Sequence, residues 1–194
     1  MLILNKIVSI TLLLAVFTAC SERYTPKPRA YFRIDLPEKR YRLFNDKAYP
    51  YSCELPVYST VVPFAAKGEK YWYNINFPDL NATINMSYKP LNDTNLKEHI
   101  ADALLFVDKH QGKASRIREL NLNDPKSRIY GMLFDIRGVG VASTYQFYIT
   151  DSLKHFVRGA LYFDGAPNND SLAPVIEFLK SDIDHLLETF QWRR

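Results

Sequence analysis

The sequence predicts an α+β domain in which two helices pack on an antiparallel β-sheet. Three observations predict this class. Residues 82–88 alternate apolar and polar side chains, residues 128–163 hold strand-like runs separated by short reversals, and residues 172–190 carry an apolar stripe at helical spacing. Since alternating antiparallel strands cover a core on one side only, both predicted helices should pack on the sheet.

The first half of this domain is predicted from local patterns. Strand-forming aromatic residues fill 51–58 and 71–77, and proline or glycine bounds both runs. A helix should follow, because Asn95 with Glu98 fits a capping box, and Gly112 is its predicted C-terminal cap. One face of the strand before it carries Ala82, Ile84, Met86 and Tyr88, and the apolar positions of the helix are Leu96, Ile100, Ala103, Leu104 and Val107.

The second half is a predicted meander followed by a helix. The three strands of the meander are 128–137, 141–150 and 153–163, with reversals at 138–140 and 151–152. Asp170 or Ser171 should cap the last helix, and Pro174 should lie in its first turn. This order of elements resembles the PsbP/Mog1-type sandwich.

Composition excludes several classes of protein. The chain has 194 residues, of which 47% are apolar and 24% charged, so it is too apolar for a disordered protein. A net charge of +4 is small for a nucleic-acid binder. Two cysteines close at most one disulfide, which excludes a disulfide-stapled miniprotein. The length suits one ordinary domain with a tail or leader.

The first twenty residues resemble the leader of a bacterial lipoprotein. Lys6 is the only charge in 1–19, and the apolar run 7–17 is too short to span a bilayer. This run leads through Thr18 and Ala19 into Cys20, which resembles a lipobox, where the cysteine thiol is acylated and the leader is cut before it. We predict a signal peptide at 1–19 and a lipid anchor, with acyl chains such as palmitate, at Cys20. The alternatives are an ordinary signal peptide with a chance cysteine and an uncleaved anchor.

A tether is predicted at 20–45, before a globular domain at 46–194. Pro26, Pro28 and Pro37 favour extended backbone, and basic residues outnumber acidic ones in this segment. The segment is either a basic arm that lies on anionic lipid or on an acidic partner, or a solvated spacer. Within it, residues 31–37 alternate apolar and charged side chains, which predicts an edge strand ending at Pro37.

The sequence predicts no catalytic, cofactor-binding or metal-binding residues, and therefore a protein that is not an enzyme. The four histidines lack the spacing of metal ligands. A triad can be drawn from Ser143, His155 and Asp151, but Ser143 lies in a strand without a nucleophile elbow. Cys53, in an aromatic strand, is typical of a small buried residue.

One face of the last predicted strand mixes charged and aromatic side chains, a composition that is enriched at protein interfaces. The candidate partner surface consists of Lys154, Phe156, Arg158 and Tyr162. The alternative is that a helix or the N-terminal arm covers this face.

Several segments are similar to the gliding motility lipoprotein GldD family of Bacteroidetes. The similar segments are the tether at 26–37, Lys109 and His110 with Lys113 and Ala114, the stretch from Ala142 to Phe163, and, at the end, Pro167 and Asn168 with residues 170–174 and the closing Trp192. The resemblance implies a non-enzymatic envelope lipoprotein of the gliding and type IX secretion apparatus, whose partners are other lipoproteins and proteins of that machinery. Of the family's functional residues, the acylated cysteine alone carries over, onto Cys20.

Two functions follow as hypotheses. The first is a lipid-anchored assembly or scaffold component, facing the periplasm and held in the outer membrane in preference to the inner one. The alternative is a periplasmic glycan- or peptidoglycan-binding module, because Tyr71, Trp72 and Tyr73 could stack on sugars. An exposed aromatic cleft with convergent amides would favour the alternative, and a flat aromatic–arginine patch near the meander would favour the scaffold.

Overall fold

The computed structural model describes residues 34–65, 68–166 and 168–193. The predicted signal peptide, the lipid attachment at Cys20 and the tether up to residue 33 lie outside the described residues. The described elements are β1 (Tyr41–Phe44), β2 (Tyr51–Pro56), β3 (Thr60–Pro63), β4 (Tyr73–Phe77), a 3-10 turn (Pro78–Leu80), β5 (Ala82–Pro90), α1 (Leu96–Asp108), β6 (Arg116–Asp124), β7 (Ile129–Arg137), β8 (Ser143–Thr150), β9 (His155–Phe163), α2 (Asn169–Glu188) and β10 (Gln191–Trp192).

The strands form two antiparallel sheets. The larger has seven strands in the order β3-β4-β5-β9-β8-β7-β6, and the smaller has three in the order β1-β2-β10. The predicted class, an α+β fold with an antiparallel sheet and two packed helices, is confirmed. The three predicted meander strands are β7, β8 and β9, which pair in sequence.

One face of the seven-stranded sheet, the α2 face, carries the main core. Alternate residues of β4, β5, β7, β8 and β9 meet the apolar stripe of α2 and the inner side of β2 there. Aromatic rings form much of this core, as in the stack of Tyr51 on Phe190, whose centroids lie 4.8 Å apart. The buried residues of α2 include Leu179 and Ile183, both 0% exposed, as the helical spacing predicted.

The opposite face, the α1 face, has a smaller core. Helix α1 contacts β8 and β9 through Ala103 and Val107, which pack with Phe134, Tyr148 and Phe156. Leu104, which the helical pattern placed on the apolar side, is 37% exposed. The helix therefore covers the middle of the sheet and leaves the polar side chains of the β4–β5 edge uncovered on this face.

Of the three predicted helix ends, two are wrong. Asn95 does hold the N-cap position of α1, which begins at Leu96, but its φ and ψ are helical, at −94° and −5°, and its side chain does not make the predicted capping bond. Its Oδ1 accepts from the backbone N–H of Asn92 instead, at 2.9 Å. Helix α1 ends at Asp108, so Gly112 is not its cap. The N-cap of α2 is Asn168, whose side chain accepts from the N–H of Ser171.

Proline also behaves differently from the prediction at two places. Because α2 begins at Asn169, Pro174 lies beyond its first turn, inside the helix. Residues 34–40 have no regular structure, and the strand begins at Tyr41, after Pro37, where the edge strand was expected to end. Strand β1 then pairs with β2, so the described fold includes residues that the sequence assigned to the tether.

The segment before β1 is fixed to α2 by a buried carboxylate. Asp182 is 1% exposed, and its Oδ1 accepts from Lys39 Nζ at 2.5 Å and from the Tyr41 hydroxyl at 2.9 Å. Its Oδ2 accepts from the Tyr58 hydroxyl at 2.8 Å. Burial and the hydrogen bond to Asp182 raise the pKa of Tyr41 to about 12. This N-terminal clamp attaches the start of the described chain to the core.

Candidate functional site

A cleft of about 340 Å³ opens on the α1 face, between α1 and the β4–β5 edge of the sheet. We call it the aromatic cleft. Its volume lies at the small end of the range for ligand pockets, which is about 300 to 1,000 Å³. Aromatic rings form its sides, side-chain amides and a hydroxyl lie on its floor, and charged groups stand around it.

Two aromatic side chains form the wall next to the sheet edge. The rings of Phe64 and Trp72 stack with their centroids 6.3 Å apart and their planes at 18°. Trp72 is held in place because its Nε1 donates to the carbonyl of Tyr88 at 2.8 Å. Phe64 is 50% exposed, and its N–H donates to the Trp72 carbonyl. The third ring, Phe106, is 43% exposed and comes from α1.

The register of the sheet builds the floor. Asn74 lies opposite Asn85, which lies opposite Ala160, which in turn lies opposite Gln146. Three amides thus form a row across four strands, with one small residue between them. Each amide offers donors and an acceptor. Asn74 and Asn85 line the cleft, whereas Ala160 is 0% exposed and Gln146 1%, so only the β4–β5 end of this row is open.

The charged residue that stands out is Arg158. Its guanidinium lies 4.3 Å from the centroid of Phe106 and donates to Gln146 Oε1 at 2.6 Å. Burial lowers the pKa of Arg158, which Tyr162 partly offsets. Within the described residues the guanidinium forms no ion pair with a carboxylate. Lys89, on the same cleft, is by contrast paired with Glu69.

Two histidines lie near the cleft but do not form a metal site. The ring of His99 packs against Phe156 with centroids 5.6 Å apart. Burial lowers the pKa of His110, and the nearby charges of Arg158 and Lys113 lower it further. Across the part of the chain that the structure describes, no cluster of three or more His, Cys, Asp or Glu side chains could hold a metal ion.

A family model for the gliding motility lipoprotein GldD matches residues 21–192, starting at the residue after Cys20. The chain belongs to this GldD family. Among curated proteins, no match was found. Among solved structures, the chain is similar to the solution structure of cyanobacterial PsbP (CyanoP) from Synechocystis sp. PCC 6803. The TM-score is 0.49 and the identity 12%, and the match covers 83% of this chain and 97% of that chain. No helix among the described residues of this GldD-family chain is long and apolar enough to cross a membrane.

The four residues of the candidate partner surface do not form one exposed surface. Lys154 is exposed in the turn before β9, whereas Phe156 is 3% exposed. Helix α1 covers Phe156, which stacks on Tyr148 with centroids 5.5 Å apart. The prediction is therefore wrong at Phe156. Arg158 and Tyr162 are half-buried, and Arg158 lines the aromatic cleft.

The drawn triad does not assemble. A hydrogen bond of 2.8 Å joins His155 Nδ1 to the Tyr88 hydroxyl, and the His155 ring stacks on Trp192. Asp151 Oδ1 accepts the backbone N–H groups of the β8–β9 turn. Ser143 is fully buried, and its Oγ has no partner among the described residues. Asp151 therefore holds the β8–β9 turn, and His155 joins β9 to Tyr88 of β5.

The structure also locates two further candidates, Cys53 and the aromatic residues 71–73. Cys53 is 0% exposed, and burial raises the pKa of its thiol to about 12, so it is a core residue. Of the three neighbouring aromatics proposed to stack on sugars, Tyr73 is 0% exposed, and Tyr71 contacts Tyr49 and Tyr88. Trp72 alone of the three lines the aromatic cleft.

Sequence reasoning missed most of the cleft. Phe64, Phe106 and the amides Asn74 and Asn85 were not singled out, because they come from four separate elements. The available signal was the polar side of β5, where Asn85 and Ser87 alternate with buried residues. Paired with the polar side of β4, that pattern indicates an uncovered sheet face with amides on it.

Proposed function

We propose that this GldD-family chain is a lipid-anchored assembly or scaffold component of the gliding motility and type IX secretion machinery. It acts by binding other envelope proteins of that machinery and not by catalysis. The observation that carries the proposal is the family match, which spans residues 21–192 and begins directly after Cys20.

The anchor is proposed at Cys20, facing the periplasm, with the outer membrane favoured over the inner one. Each buried methylene contributes about 0.8 kcal/mol, so two acyl chains hold a protein on a bilayer stably. In Cys20→Ala, incorporation of labelled palmitate should be lost and the protein should move to the soluble fraction. Ser21→Ala is the matched control and should stay in the membrane. Retention of Cys20→Ala in the membrane would contradict the anchor.

The proposed partner surface shifts from β9 to α1. Leu105 is 56% exposed and Phe106 43%, and Phe106 stacks with Arg158. Exposed aromatic and arginine side chains are enriched in the centres of protein interfaces. We call Leu105, Phe106 and Arg158 the α1 patch. It keeps Arg158 from the surface that the sequence predicted and leaves out the buried Phe156.

Site-specific photocrosslinking in the native envelope tests this surface. A photoreactive residue at Leu105 should capture proteins of the apparatus, identified by mass spectrometry. The matched control is the same residue at Leu43, which is 61% exposed and lies on β1. Equal capture at both positions, or none at Leu105, would count against the α1 patch.

A second candidate function, a glycan-binding module, is favoured by the aromatic cleft. Exposed rings beside convergent amides are the feature that the sequence hypothesis named as its discriminator. Binding to purified peptidoglycan sacculi should be weakened in Trp72→Ala. It should be unchanged in Leu105→Ala, an exposed position outside the cleft. If sacculi do not retain the wild-type protein, this candidate fails.

A further inference from the structure

We propose that the aromatic cleft binds a saccharide that carries a carboxylate. A sugar ring lies against the Phe64–Trp72 pair, and the carboxylate is bound by Arg158. This inference rests on the proposed glycan-binding function and names the class of glycan.

The state of Arg158 points to a carboxylate. Its guanidinium is half-buried and donates to the neutral oxygen of Gln146 at 2.6 Å, and its other hydrogen-bonding neighbour is the side chain of Tyr162, so neither partner is a carboxylate. The ring of Phe106 covers one face of the guanidinium, at 4.3 Å from its centroid. A guanidinium has five donors in a planar fork that matches a carboxylate. A ligand carboxylate would therefore supply the ionic partner that the protein does not.

Two observations favour a singly charged group over phosphate. Lys89 lines the same cleft, but Glu69 is paired with it, so its charge is already compensated. Asp102 of α1 also lines the cleft and adds a negative charge. Arg158 is thus the one lining cation without a salt bridge among the described residues, while Asp102 offsets its charge in the cleft as a whole. A single carboxylate bound by Arg158 is repelled less by Asp102 than a phosphate with nearly two charges would be.

The rest of the cleft matches the chemistry of sugars better than that of a peptide. Phe64, which is 50% exposed and is held by stacking on Trp72, offers a flat apolar surface to the C–H face of a pyranose. The amides of Asn74 and Asn85, opposite each other in the register, can each donate to and accept from vicinal hydroxyls. A peptide would instead seek an open strand edge, whereas this floor consists of side chains on a paired sheet face.

The test compares ligands that differ only in charge. Galacturonate, glucuronate and mannuronate oligosaccharides and their methyl esters are titrated into the purified full-length protein in detergent by calorimetry. At least one acid series should bind, and its ester should bind at least about tenfold more weakly, since hydrogen bonds between charged groups are the stronger ones. Added salt should weaken binding of the acid form and leave binding of the ester unchanged.

Variants assign the preference to named residues. Arg158→Gln should remove the difference between acid and ester, and Arg158→Lys should restore part of it because the positive charge returns. Arg116→Gln, an exposed arginine on β6 outside the cleft, is the matched control and should keep the full preference. Trp72→Ala should weaken acid and ester alike. Thermal melting verifies that each variant is folded.

The outcomes separate the inference from the function on which it rests. Equal binding of acid and ester overturns the carboxylate assignment and leaves glycan binding standing. Retention on sacculi with no binding of any acid series also overturns it. If the Arg158→Gln variant still prefers the acid to the ester, another residue recognises the charge, and the role of Arg158 is overturned. Absence of binding to both oligosaccharides and sacculi overturns the inference and the glycan-binding function together.

Discussion

The two faces of the seven-stranded sheet differ in whether their polar groups are paired within the protein. On the α2 face, buried charges are matched inside the protein: Lys180 Nζ donates to Asp135 at 2.6 Å, and Asp182 binds Lys39 and two tyrosine hydroxyls. On the α1 face, Arg158 has neutral hydrogen-bond partners, and the amides of Asn74 and Asn85 line an open cleft. The comparison teaches that the first face is built for stability and the second is available for binding.

The largest expected effect is the loss of packing on the α2 face. Leu179 is 0% exposed in the centre of the α2 stripe. Leu179→Ala should lower the free energy of unfolding by about 2 to 5 kcal/mol, because a cavity remains in a dense core. Chemical denaturation monitored by circular dichroism measures this change. A loss below about 1 kcal/mol would mean that the α2 face is not the main core.

The next effect comes from the N-terminal clamp. Asp182→Ala should destabilise the fold by about 2 kcal/mol, since the hydroxyls of Tyr41 and Tyr58 lose their acceptor and Lys39 loses its ionic partner. It should also release the segment before β1, which limited proteolysis would detect as faster cleavage near Lys39. Asp93→Ala, an exposed carboxylate before α1, is the matched control and should show neither change. Unchanged proteolysis in Asp182→Ala would show that the clamp does not hold that segment in place.

A smaller effect is expected from pH. Burial lowers the pKa of His155, more than the opposing charge of Asp151 raises it. The folded protein therefore binds this proton less readily than the unfolded chain does. The resulting stability is present above the unfolded pKa of about 6.5 and is lost as pH falls through the lowered value.

His155→Gln should accordingly reduce the loss of stability between about pH 7.5 and about pH 5.5. Denaturation midpoints at both pH values give this slope. The substitution also removes the stacking on Trp192, but that loss is the same at both pH values and does not change the slope. His110→Gln makes the same comparison on the α1 face, where burial also lowers the pKa of the histidine. A steeper slope in either variant would contradict the assigned direction.

The smallest effect is expected on the outer side of α1. Leu105→Ala should change the free energy of unfolding by less than about 0.5 kcal/mol, because Leu105 is 56% exposed. This variant is the counterpart of Leu179→Ala, with the same substitution in the other helix. A loss above about 1 kcal/mol would show that Leu105 contributes more to the packing of α1 than its exposure indicates.

The parts of the fold that the sequence predicted are those with a strong local period. The α2 stripe and the alternation in β5 each bury one side against the core, so their patterns are visible in one stretch of chain. Strands β3 and β6 were not predicted. Both are edge strands with many exposed residues, and β6 carries charges on both sides, which resembles a loop.

The site was predicted less well because it is assembled from distant residues. Arg158 was singled out for the composition of its strand, but its ring partner Phe106 is on α1. The opposition of Asn74 and Asn85 depends on strand register, which the sequence does not show directly. Similarly, Asn95 and Glu98 fit a capping pattern, yet the turn at Asn92 uses the Asn95 side chain instead. Local patterns indicate candidates, and long-range pairing decides among them.

The N-terminal clamp also has a mechanical consequence. Tension that enters the described chain at residue 34 reaches Lys39 first and then Tyr41, where the pairing of β1 with β2 also begins. The load then passes through Asp182 into α2, whose apolar stripe is buried in the main core. Force on the N-terminal segment is thus borne by α2 and β2, on the face of the sheet opposite to the aromatic cleft.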